Sequence, residues 1–259
     1  MIDPRPSIID ERLKNIRNVI AVSGGKGGVG KSLISSTLAL LLAKNNMKVG
    51  LFDLDFTSPS TNLILGIQDA KPVEDKGIIP PKVHGLRYMS IIYYSGDCTA
   101  PLRGADISNA LIELLAITRW ENLDYLILDM PPGISDATLD LMRLIKKIEF
   151  LIITTPSQLA FETVKKLTNL LKTQNIPTIG IIENMKTDNN QTIKNQTRKL
   201  GLNYLGQIPH DPQVENAIGN PTKLLNTKLA QKTKRITQKI LRTRTTNSLV
   251  SRKSFSVVN

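Results

Sequence analysis

Cysteine is almost absent. Cys98 is the only one in 259 residues, so the chain can form no internal disulfide and no cysteine-only metal site of its own. Histidine is nearly as scarce: His84 and His210 stand far apart, without ligand-like neighbours, and read as ordinary surface or loop residues. No apolar run approaches the ~20 residues a membrane-spanning helix needs. The opening stretch, MIDPRPSIIDERLKNIRN, is too charged for the apolar core of a signal peptide, and these absences together predict a cytoplasmic protein. Acid is missing from one end. After Glu215 there is no Asp or Glu, while the same segment carries ten Lys and Arg, from Lys223 to Lys253. Of the net +12, those ten leave only +2 for everything before them. The body is near neutral, and the basic balance says little about its core function.

What is present is a strand–helix alternation. NVIAV (18–22), KVGLFDLD (48–55), LDYLILDM (123–130), EFLIITTP (149–156) and IPTIGIIENM (176–185) are short runs dense in Ile, Val and Leu. That is the pattern of strands buried on both faces. Between them lie amphipathic stretches at 32–43, 107–117, 137–147 and 159–172; in the last, Val164, Leu167, Leu170 and Leu171 keep helical spacing. The alternation predicts an α/β fold: a doubly wound, mostly parallel sheet with helices on both faces, in one domain. The expected bounds are an N-terminal extension at 1–17, the domain at 18–241 and a basic, disordered tail at 242–259. Residues 68–104 are less regular and read as excursions over the strand ends.

The chemistry starts at the first strand-to-helix junction. Gly25-Lys26-Gly27-Gly28-Val29-Gly30-Lys31-Ser32 satisfies the phosphate-loop pattern G-x-x-x-x-G-K-[ST]. Glycines let backbone N–H groups converge on one point, and the following helix adds its positive end. Lys31 would reach the β- and γ-phosphates, and the Ser32 hydroxyl would sit on Mg²⁺. Gly25, Gly27 and Gly30 also spell the dinucleotide fingerprint, with Asp53 ending the second strand, but that reading gives Lys31 and Ser32 no purpose. Later segments favour the triphosphate. DLDFTSPS places Asp53 and Asp55 at one strand end, and ILDMPPG places Asp129 at another. In an open parallel sheet these carboxyl ends converge on the ligand crevice, where one acid can hold the metal's water shell and another can orient the attacking water. This constellation is a nucleotide hydrolase site.

The same segments resemble a known family. KGGVGKS, with its extra lysine, looks like the deviant Walker A of the MinD/ParA/NifH/ArsA class. Within it, GGKGGVGKS, DLDFTSPS, LRG, WENLDYLILDMPPGISD, TTPSQLA, IENM and GQIPHDPQV follow the order of the Mrp/Nbp-type ATPases of iron–sulfur cluster assembly. The resemblance implies a P-loop ATPase that binds ATP with Mg²⁺ and acts as a homodimer on an unidentified client. It implies that Lys26 reaches across the dimer to the partner's nucleotide and that Asp55 positions the hydrolytic water. Asp129 would lie near Mg²⁺ in the second switch, with Gly133 as hinge. Asn184 would face adenine, with Pro209 to Pro212, Asp211 among them, closing the base pocket. The contiguous guanine signature N-K-x-D is absent, which favours ATP. One departure matters: cluster-carrying members have a C-x-x-C pair after ENM, and here that place reads KTDNNQTIKNQ. Cys98 would give a dimer two thiolates, short of the four an ordinary cluster takes. The ATPase part of the resemblance transfers, and the cluster-holding part does not. The alternative is a positioning ATPase of the MinD or ParA kind, its basic end meeting membrane or nucleic acid. In that end Leu225, Leu229, Ile236 and Ile240 are expected to pack on the sheet as a last helix.

Overall fold

A computed structural model describes residues 3–95 and 105–254. Cys98 and the LRG stretch lie outside the described residues. Helix α1 (Arg5–Leu13) leads into β1 (Ile16–Gly24), the glycine loop, α2 (Lys31–Lys44), β2 (Val49–Asp53) and the short α3 (Thr61–Leu65). Strands β3 (Val73–Glu74) and β4 (Ile78–Ile79) pair with each other, and β5 (Lys82–Val83) turns back into β6 (Leu86–Ser90), which α4 (Ile92–Ser95) follows. After α5 (Ala105–Ile117) come β7 (Leu123–Asp129), α6 (Asp136–Leu144), β8 (Ile148–Thr154) and α7 (Gln158–Thr173). Strand β9 (Thr178–Lys186), α8 (Thr192–Lys199) and β10 (Tyr204–Pro209) precede a 3-10 turn at Pro212–Ala217, α9 (Pro221–Leu225) and α10 (Lys228–Ser254).

The main sheet has the order β10-β9-β8-β1-β7-β2-β6-β5, and only β5 runs antiparallel to its neighbour. Its interior strands carry the expected apolar runs: every residue of β2 is buried, as are all but one in each of β7 and β8. One core layer lies beneath α1, α5, α6 and α7, the other beneath α2, α3, α9 and α10. The doubly wound fold predicted from the alternation is therefore present. In α7, capped by Ser157, the positions at helical spacing behave as expected, with Val164, Leu167 and Leu171 buried and Leu170 half-buried.

Four segments differ from the sequence reading. Residues 5–13 form α1, which buries Ile9 and Leu13 one turn apart against the domain, so this extension contributes to the core. The irregular stretch contains β6, a full member of the sheet. His84 and Gly85, at φ of 50° and 81°, make the two-residue turn that joins β5 to it, a turn geometry suited to paired strands. Strand β10, interrupted by glycine and glutamine, has too little apolar character to read as a strand and pairs with β9 at the sheet edge. Lastly, α10 does not stop near Arg242 but continues to Ser254. No Gly or Pro follows Pro221, so nothing in the sequence breaks that helix.

Candidate functional site

The glycine loop leaves β1 between β7 and β8, where the winding of the sheet changes direction and an open α/β sheet forms its ligand crevice. Two of its glycines are required by space. A Cβ on Gly25 would stand 2.7 Å from the Ala160 carbonyl oxygen and 2.9 Å from Thr163 Cβ, so the loop lies directly on the first turn of α7. Gly30 caps α2 with φ 86°, and a Cβ there would come 2.4 Å from Asn184 Nδ2. Lys31 opens α2 and is 6% exposed. Lys26 sits at the exposed crest, with Gly27 and Gly28, while Val29 is buried beneath it. Gly133, at φ 75°, donates its N–H to the Gly24 carbonyl at 3.2 Å, which ties the loop after β7 to the phosphate loop.

Strand register gathers the acids. Asp129 pairs with Val22 of β1 on one side and with Asp53 of β2 on the other. All three predicted carboxylates stand at this edge, but their surroundings separate them. Asp129 is fully buried; its Oδ1 accepts from Ser35 Oγ at 2.7 Å, and its Oδ2 has no partner among the described residues. Burial, and next the neighbouring Asp53, push its pKa up to about 7, although Ser32, Ser35 and Lys31 pull the other way. Burial likewise raises Asp53. Asp55 accepts at Oδ1 from Thr57 Oγ1 at 2.7 Å, Thr57 N at 3.3 Å and Ser58 N at 3.1 Å; its Oδ2 has no partner among the described residues. An orphaned buried carboxylate oxygen, a serine hydroxyl and a second strand-end carboxylate form a hard oxygen donor set, and that set fits Mg²⁺ held largely through water. Ser35 escaped the sequence reading. Its only signal is its place one turn after Lys31, on the face that meets β7.

A cavity of about 240 Å³ opens beside the loop, lined by Leu33, Asn184, Met185, Pro209, Pro212 and Val214 among others. Asn184, Pro209 and Asp211, the residues expected at the base, line this one cavity, and two of them have further bonds. Asn184, buried, donates from Nδ2 to the Val29 carbonyl at 2.9 Å, so it also braces the phosphate loop. Asp211 lines the cavity, but its Oδ1 accepts from Gln213 N and its Oδ2 from Lys228 N and Leu229 N. Its carboxylate is committed to capping the 3-10 turn and α10 rather than to a base.

Just beyond Asn184, where the sequence lacks the cysteine pair, a buried ionic clasp closes the strand end. Lys186 Nζ lies 2.7 Å from Glu183 Oε1 and 3.1 Å from Asp188 Oδ1, and Tyr204 OH donates to Glu183 Oε2 at 2.6 Å. Nothing in the sequence reading had assigned these residues.

Comparison with known proteins bears on the family and the fold. The family model described as the NUBPL iron-transfer P-loop NTPase, ParA, matches residues 15–244. An iron-sulfur cluster carrier protein of Methanocaldococcus jannaschii is 35% identical over 252 residues, covering 90% of this chain and 87% of that one. One from Pseudomonas fragi is 39% identical over 177 residues, covering 67% of this chain but only 62% of the relative's length. Among solved structures, a nucleotide-binding protein in complex with ADP from Archaeoglobus fulgidus matches with a TM-score of 0.71 at 29% identity, over 87% of this chain and 92% of that one. The match over residues 15–244 and the 35% identity over most of both chains show that the chain belongs to the ParA family of NUBPL-type iron-transfer P-loop NTPases.

Proposed function

We propose that this chain binds and hydrolyses Mg-ATP as a dimer and uses the cycle to assist iron–sulfur cluster or metallocofactor assembly. The observation that carries the reading is that buried Lys31 and the Ser32 hydroxyl lie beside the Asp129 carboxylate, whose Oδ2 has no partner among the described residues, while Asp55 stands just past the end of the neighbouring strand. Lys31 neutralises the β- and γ-phosphates, and loop N–H groups hold their oxygens. Mg²⁺, when bound, supplies charge neutralisation on the transferred phosphoryl group. Asp55 keeps Oδ2 for the attacking water while its other oxygen anchors the loop that carries it. Lys26 has no partner among the described residues, and exposed apolar side chains flank its loop: Leu159 at the start of α7 is 79% exposed and Ile134, next to Gly133, 41%. A lysine crest ringed by apolar surface suits burial against a second copy, where Lys26 would serve as the transition-state cation of the partner's site.

The assembly role comes from the family's iron-transfer description and from the relatives named as cluster carriers. A cluster held on the chain's own thiolates is not part of the proposal, because one cysteine per chain gives a dimer two. A positioning ATPase acting at a membrane or on nucleic acid is the second reading. Against its membrane form, Leu229, Ile236 and Ile240 of α10 are buried on the sheet and thus unavailable to lipid. Leu225, in α9, also packs there.

Mixed dimers test the reading. Lys31→Ala should lose nucleotide binding, and Lys26→Ala should bind but not turn over. When the two are mixed, the intact Lys31 site on the Lys26→Ala chain receives Lys26 from its partner and recovers part of its activity. Losing such a cation costs about 10³-fold or more, so even partial rescue is visible. A silent mixture containing verified heterodimers, or normal turnover by Lys26→Ala alone, would refute the shared site.

A further inference from the structure

Asp53 stands beside Asp129 in the sheet, yet its bonding gives it a different task. The side chain is fully buried. Its Oδ1 accepts from Asp55 N at 3.1 Å; its Oδ2 accepts from Ser60 N and Thr61 N, both at 3.1 Å, and from Thr61 Oγ1 at 2.6 Å. One donor reaches Oδ1 and three crowd on Oδ2, so the carboxylate's bonding is directed at its own loop rather than at a phosphate or a metal. The donors come from the two ends of one segment, residues 55–61. Asp53 holds the first turn of that segment through Asp55 N and its far end through Ser60 and Thr61. In doing so it caps α3, whose own N-cap residue Ser60 makes no side-chain cap.

Asp55 lies inside this bracket. The bracket is also tied to a second strand. Thr61 Oγ1 has one proton, which it gives to the acceptor-only carboxylate, so Tyr88 OH on β6 donates to Thr61 at 2.9 Å. Tyr88 is itself buried and set edge-on against Tyr93, with ring centroids 5.9 Å apart. Asp53, Thr61 and Tyr88 therefore form a hydrogen-bonded chain from β2 through the start of α3 to β6.

We propose that Asp53 and Thr61 are positioning residues for hydrolysis: without touching nucleotide, they fix the loop that aims Asp55 at the attacking water. The proposal rests on the ATPase reading above and adds a requirement that reading does not contain. Its consequence is a split between binding and turnover. Misplacing a catalytic group by about 1 Å costs about 10²-fold in rate, whereas Lys31 and the glycine loop, which hold the phosphates, are untouched.

Thr61→Val keeps the side chain's shape and removes the hydroxyl, and Asp53→Asn sets an NH₂ against N–H donors. Both should bind a fluorescent ATP analogue with wild-type affinity while kcat falls ~10²-fold at unchanged KM. Thr61→Ser, which keeps the hydroxyl, should restore turnover. Amide hydrogen exchange at residues 60 and 61, read by NMR without nucleotide, should accelerate in Asp53→Asn. Wild-type turnover by Thr61→Val, joint loss of binding and turnover in that variant, or unchanged exchange at 60 and 61 would each overturn the proposal. If the wild-type protein hydrolyses no ATP, the ATPase reading fails, and with it the catalytic purpose of the bracket; the exchange rates would still decide whether Asp53 holds the loop.

Discussion

Asp129 should make Mg²⁺ binding depend on pH near neutrality. Its pKa is raised from the usual 3.8 to about 7, by burial first and by Asp53 second. A carboxyl with that pKa is ionised in roughly one molecule in ten at pH 6 and in roughly nine in ten at pH 8. Only the ionised form suits a cation, so binding Mg²⁺ expels a proton. The apparent Mg²⁺ affinity of the nucleotide complex should therefore rise about tenfold between pH 6 and pH 8. The assay is a Mg²⁺ titration of a fluorescent ADP complex across that range, in wild type and in Asp129→Asn. The nucleotide's own phosphate takes up protons in both proteins, so the difference between the two slopes isolates the carboxyl. Identical slopes, or undiminished Mg²⁺ affinity in Asp129→Asn, would refute the reasoning. Stability carries the same sign. Because the folded pKa lies above the unfolded one, the fold prefers the protonated group, and the nucleotide-free protein loses stability as pH rises from about 4 to about 7. The loss is at most about 4 kcal/mol. Asp129→Asn carries no such loss and should have a higher Tm than wild type at pH 8, a case of function retained against stability.

Lys186→Met would strand the buried Glu183 carboxylate with Tyr204 as its one remaining side-chain partner among the described residues, and should destabilise by about 3–5 kcal/mol in urea unfolding; a loss below about 1 kcal/mol would show that the clasp is not needed. Gly25→Ala places a methyl 2.7 Å from the Ala160 carbonyl oxygen, so the loop must move. Overpacking of about 1–3 kcal/mol there should weaken ADP binding about tenfold or more by calorimetry, and unchanged affinity would mean that the loop and α7 are independent. Reconstituted anaerobically with iron and sulfide, the purified protein should hold no stoichiometric, stable cluster. A charge-transfer absorption that survives desalting and disappears in Cys98→Ser would contradict this.

The sequence by itself determined the parallel sheet and the place of the site. Continuous Ile, Val and Leu runs can be buried only on both faces, and a G-x-x-x-x-G-K-S stretch after the first of them fixes where the backbone N–H groups converge. It did not distinguish its own acids. Asp53 and Asp129 each end an apolar run and look alike in one dimension, but the hydroxyl that holds Asp129 comes from Ser35, 94 residues away, while Asp53 is held by donors within eight residues. Asp211 looked like a base-pocket residue, and the amides that claim its Oδ2 belong to a helix 17 and 18 residues later. Strand β10 and helix α1 were unreadable for a related reason, since their few apolar positions gain meaning only from the surface each one covers. Periodicity reports burial, because burial repeats with the local geometry of the chain. The partner of a given carboxylate is set by which elements the fold lays side by side, and that was decided in three dimensions.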